Sequence, residues 1–176
     1  PFRIIKFLLF FTLSCFSLSA YALELNVEEK AWLTKNSSIT LGSDYNWPPY
    51  DFIDNHKKHS GISADFIDLV RQKTGLEIKI KSGVWADVLN DMKQSKLDGL
   101  VCAAQTPDRE KYLSFSKPYS TQPLAIIVKD NTINIKNLTD LKGKLVAVNK
   151  GSYLHEWLKT NHPEINLHLT QSNEQS

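Results

Sequence analysis

Cysteine is nearly absent from this sequence, and so are the patterns that mark most enzymes. Two cysteines in 176 residues, Cys15 and Cys102, cannot build a disulfide framework. Seven glycines and seven prolines, with no internal repeat and no low-complexity run, exclude collagen-like and wholly disordered chains. An excess of one charge is missing too. Of the 21 Lys and Arg, Arg3 and Lys6 lie in the first 22 residues, which hold no acid; the 19 that remain balance the 19 Asp and Glu. That balance leaves no basic surface to displace counterions from a phosphate backbone, so no nucleic-acid partner is expected. There is no His-Glu-x-x-His, no Gly-x-Ser-x-Gly, no P-loop and no Gly-x-Gly-x-x-Gly, and neither a cofactor nor catalysis is expected.

The titratable residues that are present read modestly. His56 and His59 share a Lys-rich turn that needs no metal to be stable in water, and His155, His162 and His168 lie at no ligand spacing. Cys102 has no local His or Lys to lower its pKa and reads as a buried structural thiol. Asp51 and Asp54 sit on a loop with no sign of a shared apolar pocket.

The one long apolar run lies at the start. Arg3 and Lys6 precede Phe7–Leu18, and Ala20-Tyr21-Ala22 offers small residues at the −3 and −1 positions of a cut after Ala22. This is the three-part pattern of a secretory signal peptide, and the run is shorter than the ~20 residues a spanning helix needs. An uncleaved anchor is the rival reading. Export places the mature chain in the periplasm with Cys102 as its single thiol.

Beyond the leader the periodicity alternates. Asn26-Val-Glu-Glu29 has capping-box spacing and predicts a helix over about Val27–Lys35. Ser38–Gly42 reads as a strand, Asp44–Phe52 as a proline-bearing loop and Asn55–Gly61 as a polar turn. Ile62, Phe66, Leu69 and Val70 fall on one helical face that Gly75 can end, and Trp85, Val88, Leu89 and Met92 fall on another. Between and after them, Leu76–Lys81, Asp98–Ala103, Leu124–Val128, Leu145–Val148 and Ile165–Leu169 read as strands. Thr106-Pro107 predicts a helix start, and Ser152–Lys159 a further helix. Strands alternating with helices imply a parallel sheet with right-handed crossovers, an α/β fold. Thr170–Ser176 reads as the start of a helix with no apolar face to follow, as expected of a fragment.

A few residues carry both a structural and a functional reading. Arg109, near the start of its expected helix, either pairs with Asp108 or Glu110 or grips a carboxylate through two parallel hydrogen bonds. Trp47 and Trp85, at strand ends where α/β sheets open a crevice, either cap the core or wall a ligand slot. Ser152 is by default an N-cap.

The ordered stretches EEKAWLTKNSSITLGSDYNWPPYDF, GISADFIDLVRQKTGLE, VWADVLNDMKQSKLDGL, QTPDREKYLSFSKPY and DLKGKLVAVNKGSY resemble those of the bacterial extracellular solute-binding proteins of family 3. The wording of NWPPY and DREKY is closest to the branch found as Venus-flytrap sensor domains. The resemblance implies a two-lobed periplasmic binding protein type II fold. Lobe 1 then covers residues 23–123, and residues 124–176 supply a hinge strand and part of lobe 2. It further implies an amino-acid-like ligand, with Trp47 and Trp85 sandwiching it, Arg109 and Thr106 holding its carboxylate, Asp44 reaching a distal amine, and Ser152 and Tyr153 closing from lobe 2. Its partner is then a membrane protein, either an ABC permease or the chain's own downstream signalling region. Enzymes on the same fold, dehydratases or wall-cleaving transglycosylases, are the alternative. Two positions depart from the family's pattern: Ser63 stands after the Gly-Ile pair, and Cys102-Ala103-Ala104-Gln105 replaces the hydroxyl-rich stretch before the arginine.

Overall fold

A computed structural model describes residues 24–130 and 134–172; the expected leader, and residues 173–176 of the expected C-terminal helix, lie outside them. The first element, α1 (Val27–Lys35), begins where it was predicted to. Asn26 Oδ1 accepts from the Glu29 N–H at 2.8 Å, and Glu29 Oε2 accepts from the Asn26 N–H at 2.8 Å. The reciprocal pair satisfies two donors that a helix start otherwise leaves unbonded.

Lobe 1 is organised by β1 (Ser38–Asp44), which runs parallel to two later strands. The short strands β2 (Asn46–Trp47), β3 (Asp51–Ile53) and β4 (His59–Ser60) follow it as a small antiparallel sheet where only a loop was expected. Pro48 and Pro49 stand in the turn between β2 and β3, where a missing N–H costs the ladder nothing. Helix α2 (Ile62–Thr74) then crosses over to β5 (Glu77–Gly83), which pairs with β1 in parallel from Ser38↔Glu77 to Asp44↔Gly83. Gly75 ends α2 at φ 71°, a left-handed turn that only glycine adopts without strain. After α3 (Trp85–Lys93) the expected strand Asp98–Ala103 contracts to β6 (Gly99–Leu100), completing the order β5-β1-β6.

Both faces of this sheet are covered. Leu41, Ile67, Leu76, Ile78 and Val101 pack on one side, and Trp85, Val88, Leu89 and Leu97 on the other. The α2 stripe Ile62, Phe66, Leu69 and Val70 is not part of either cluster and stays 39–45% exposed. Ser63, Ala64 and Ile67 are the buried face instead, with Ser63 Oγ donating to Tyr50 O at 2.6 Å.

Lobe 2 repeats the parallel unit. Strand β7 (Leu145–Asn149) pairs with β8 (Asn166–Thr170), and α4 (Tyr153–Asn161) crosses between them. Leu141, Val148, Leu158 and Ile165 form its core. Thr170 belongs to β8, so the expected C-terminal helix does not begin there.

Two expectations are corrected. Leu124–Val128 is not a strand: among the described residues no strand lies beside it, and Ile127 is 92% exposed. A segment without a hydrogen-bonded neighbour has no ladder to belong to. Residues 107–112 form successive turns, not a helix. Glu110 and Leu113 bond four residues back, but Arg109 and Tyr112 bond only three back, so no continuous α ladder forms.

Candidate ligand-binding cleft

The carboxyl ends of β1 and β7 face a common cleft of about 1070 Å³. Asp44, Trp47, Trp85 and Arg109 line it from lobe 1, and Asn149, Ser152 and Tyr153 from lobe 2. Six of the seven residues expected at the site therefore share one cavity. The seventh, Thr106, stands behind Arg109 on the same run of turns, with its backbone carbonyl accepting from the Arg109 N–H at 3.0 Å.

Arg109 is the most constrained of them, at 1% exposure. Neither local acid holds it: Asp108 pairs with Lys111 and Glu110 accepts from Gln105. Its Nη1 donates to Ala104 O at 2.8 Å, and its Nη2 donates to Gly151 O at 2.8 Å in lobe 2. Glu156 Oε1, on α4, accepts from Nη2 at 3.1 Å and from Nε at 3.3 Å. Thr106 Oγ1 donates to the other oxygen, Glu156 Oε2, at 2.9 Å. A lobe-2 carboxylate is thus held by a forked guanidinium and a hydroxyl, the donor set expected for a ligand carboxylate. Trp85 lies under the guanidinium, 5.5 Å from ring centroid to Cζ, and donates its own Nε1 to Gly151 O at 2.9 Å. Trp85 therefore answers both of its readings, as a core residue of lobe 1 and as a wall of the cleft.

Asp44 closes β1 with its Oδ1 accepting from the Asn46 N–H at 3.0 Å. Burial, reinforced by the neighbouring Asp51, pushes its pKa from 3.8 up to about 6. Trp47, on β2, packs against Tyr50 at 5.3 Å between centroids. Ser152 fulfils its default role: its Oγ accepts from the His155 N–H at 3.1 Å and caps α4, while the residue also lines the cleft. Cys102 lines the cleft as well, its thiol pushed up by burial. Among the described residues no cluster of three or more His, Cys, Asp or Glu is placed to hold a metal ion.

Sequence reasoning missed Asn149 and Glu156. Asn149 is 95% buried, ends β7 at the cleft, and among the described residues no donor reaches its Oδ1. Its place at the carboxyl end of a parallel strand was the available signal. Glu156 offered none, because its partner Arg109 is 47 residues away.

Two α/β lobes facing a common cleft are the architecture of a periplasmic binding protein type II fold. The chain belongs to the bacterial extracellular solute-binding proteins, family 3, whose sequence profile matches residues 39–171. It is 29% identical over 129 residues to the L-cystine-binding protein TcyJ of Escherichia coli, covering 72% of this chain and 48% of that protein. It is 25% identical over 128 residues to the ABC transporter arginine-binding protein 1 of Escherichia coli, covering 72% of this chain and 52% of that protein. The chain thus spans about half the length of the curated relatives it matches. Among solved structures, an ancestral arginine-binding protein bound to glutamine superposes with a TM-score of 0.71 at 26% identity, covering 80% of this chain and 63% of that one. The Bordetella pertussis BvgS periplasmic domain shares the fold, with a TM-score of 0.74 at 19% identity over 86% of this chain and 30% of that one. Among the described residues no helix is long and apolar enough to cross a membrane.

Proposed function

We propose that this chain captures a small polar, amino-acid-like solute between its two lobes in the periplasm, and that it does so without chemistry. Residues 124–128 are the connection between them. Closure over the solute is passed to a membrane partner, either a permease or a downstream signalling region of the same protein. One observation carries the reading: the cleft takes polar and aromatic side chains from both lobes, so a solute in it contacts both jaws only when they are shut. Differential contact of that kind is what drives a hinge to close.

The residues divide the work. Asp44 and the free acceptor of Asn149 suit an amine, Trp47 and Trp85 suit the body of the solute, and Arg109 with Thr106 suits a carboxylate. A charge-assisted hydrogen bond contributes roughly 1.5–3 kcal/mol, so two or three of them support micromolar binding. Calorimetric titration of the full-length protein with L-amino acids and their decarboxylated amines tests this. Saturable binding without product is expected, weakened about tenfold in Trp47→Ala by loss of an aromatic wall. Binding of none of these probes, or turnover of one, would overturn the reading. The coding sequence after Ser176 distinguishes permease partner from signalling region.

A further inference from the structure

The carboxylate seated on Arg109 is the chain's own. We propose that Glu156 is the specificity-determining residue of the cleft: an internal competitor that a ligand carboxylate must displace before it can reach Arg109. The inference rests on the solute-binding reading above and specifies how that site is tuned.

Three observations support it. First, the seat is full. Of the five N–H groups of the guanidinium, four are spent, on Ala104 O, on Gly151 O and, twice, on Glu156 Oε1. The Thr106 hydroxyl is spent on Glu156 Oε2. Second, the geometry leaves no way around the side chain. Arg109 is buried and Glu156 reaches it from the opposite lobe, so an incoming carboxylate and Glu156 compete for the same donors. Third, the competitor can leave. The Glu156 side chain keeps 25% exposure against 2% for Arg109, so it already reaches water from its seat and leaves it without crossing the core. Acceptors elsewhere in the cleft, Asp44 and Asn149 Oδ1, are not consumed by this pair and stay available to a solute's amine.

The consequence is a cleft in which an amine-bearing end counts for more than a carboxylate end. A second consequence concerns the hinge: because Glu156 spans the lobes, it stabilises the closed arrangement by the contact that a ligand otherwise makes.

L-Arginine and agmatine, which differ only by the carboxylate, are the probes, used on the full-length protein. Wild type is expected to bind the two within about threefold of each other, and Glu156→Gln to prefer L-arginine by about tenfold or more, as a regained charge-assisted pair requires. The same ratio in both proteins overturns the inference. A second readout needs no ligand: spin labels at Asn55→Cys in lobe 1 and Lys142→Cys in lobe 2, with Cys102→Ser. Their separation is expected to be short in wild type and longer or broader in Glu156→Gln and Glu156→Ala. Thermal melts of the variants confirm that they fold. An unchanged distance distribution in folded variants overturns the inference. If neither probe binds either protein, the amino-acid reading loses its support, and the distance measurement alone decides for or against Glu156.

Discussion

Two carboxylate clusters, built from similar parts, do different jobs in this molecule. Asp51 lies wholly inside lobe 1, at 0% exposure. Its Oδ1 accepts from Ser43 Oγ at 2.8 Å and meets His59 Nε2 at 2.6 Å, and its Oδ2 accepts from the Asp44 N–H at 3.1 Å. All three partners lie within eight residues of it in sequence and belong to β1 or β4. Glu156 instead joins α4 to Arg109 across the cleft. The first cluster is lost only if lobe 1 unfolds, whereas the second parts when the lobes do. Sequence separation and exposure, not the chemistry of the groups, decide which carboxylate is a strut and which is a latch.

The comparison can be broken most severely at the strut. Asp51→Ala leaves the Asp44 N–H and the His59 imidazole nitrogen without their acceptor and takes from the Ser43 hydroxyl the shorter of its two bonds, the other going to Asp44 O; a loss of about 3–5 kcal/mol is expected. Chemical denaturation measures it; a loss below about 1 kcal/mol would mean that the cluster is not structural. On the latch side, Gly151 holds its carbonyl toward lobe 1 at φ 78°. Gly151→Ala forces a side chain into that left-handed geometry at a cost of about 1–2 kcal/mol, and the measurable outcome is a wider interlobe separation with lobe 1 intact. Trp85→Phe keeps an aromatic ring but loses the Nε1 donor to Gly151 O together with part of the buried indole. About 1 kcal/mol is expected from one neutral hydrogen bond, seen as a smaller widening than in Gly151→Ala; no widening would remove Trp85 from the latch.

A separate effect sharpens the comparison through pH. The folded pKa of Asp44, about 6, lies above its unfolded value of 3.8, so the folded state keeps the proton longer. Its contribution therefore favours folding at pH below about 4 and declines as pH rises toward 6. Denaturation of wild type and Asp44→Asn between pH 4 and 7 should show that decline in the difference between the two proteins. For an amine-bearing solute the sign reverses: affinity falls as pH drops below about 6 and Asp44 loses its charge.

How far the sequence could be read depended on how local each signal was. The capping box of Asn26 and Glu29 set the start of α1, and Gly75 the end of α2, because both act within a single turn. Periodicity identified α2 as a helix but did not say which face meets the sheet. The small residues Ser63 and Ala64 let the helix come close, and the larger Phe66 and Leu69 are left outside. Leu124–Val128 has the apolar run of a strand but lacks the neighbour that makes one. Within the cleft, the residues carried by compact motifs were legible. Glu156 was not, since its meaning depends on a fold that brings α4 to residues 106–109.

The carbonyl of Gly151 accepts from both Trp85 Nε1 and Arg109 Nη2, at 2.9 and 2.8 Å. One point where lobe 2 meets lobe 1 is thus a peptide oxygen, positioned by a backbone turn and carrying no side-chain identity. A side chain exchanged elsewhere on the lobe-2 wall leaves that docking point where it is. For anyone recasting this cleft to report a chosen small molecule, residues 149 and 153 are the positions to redesign, while Ser152 caps α4, Glu156 spans the lobes, and Gly151 is the part to leave alone.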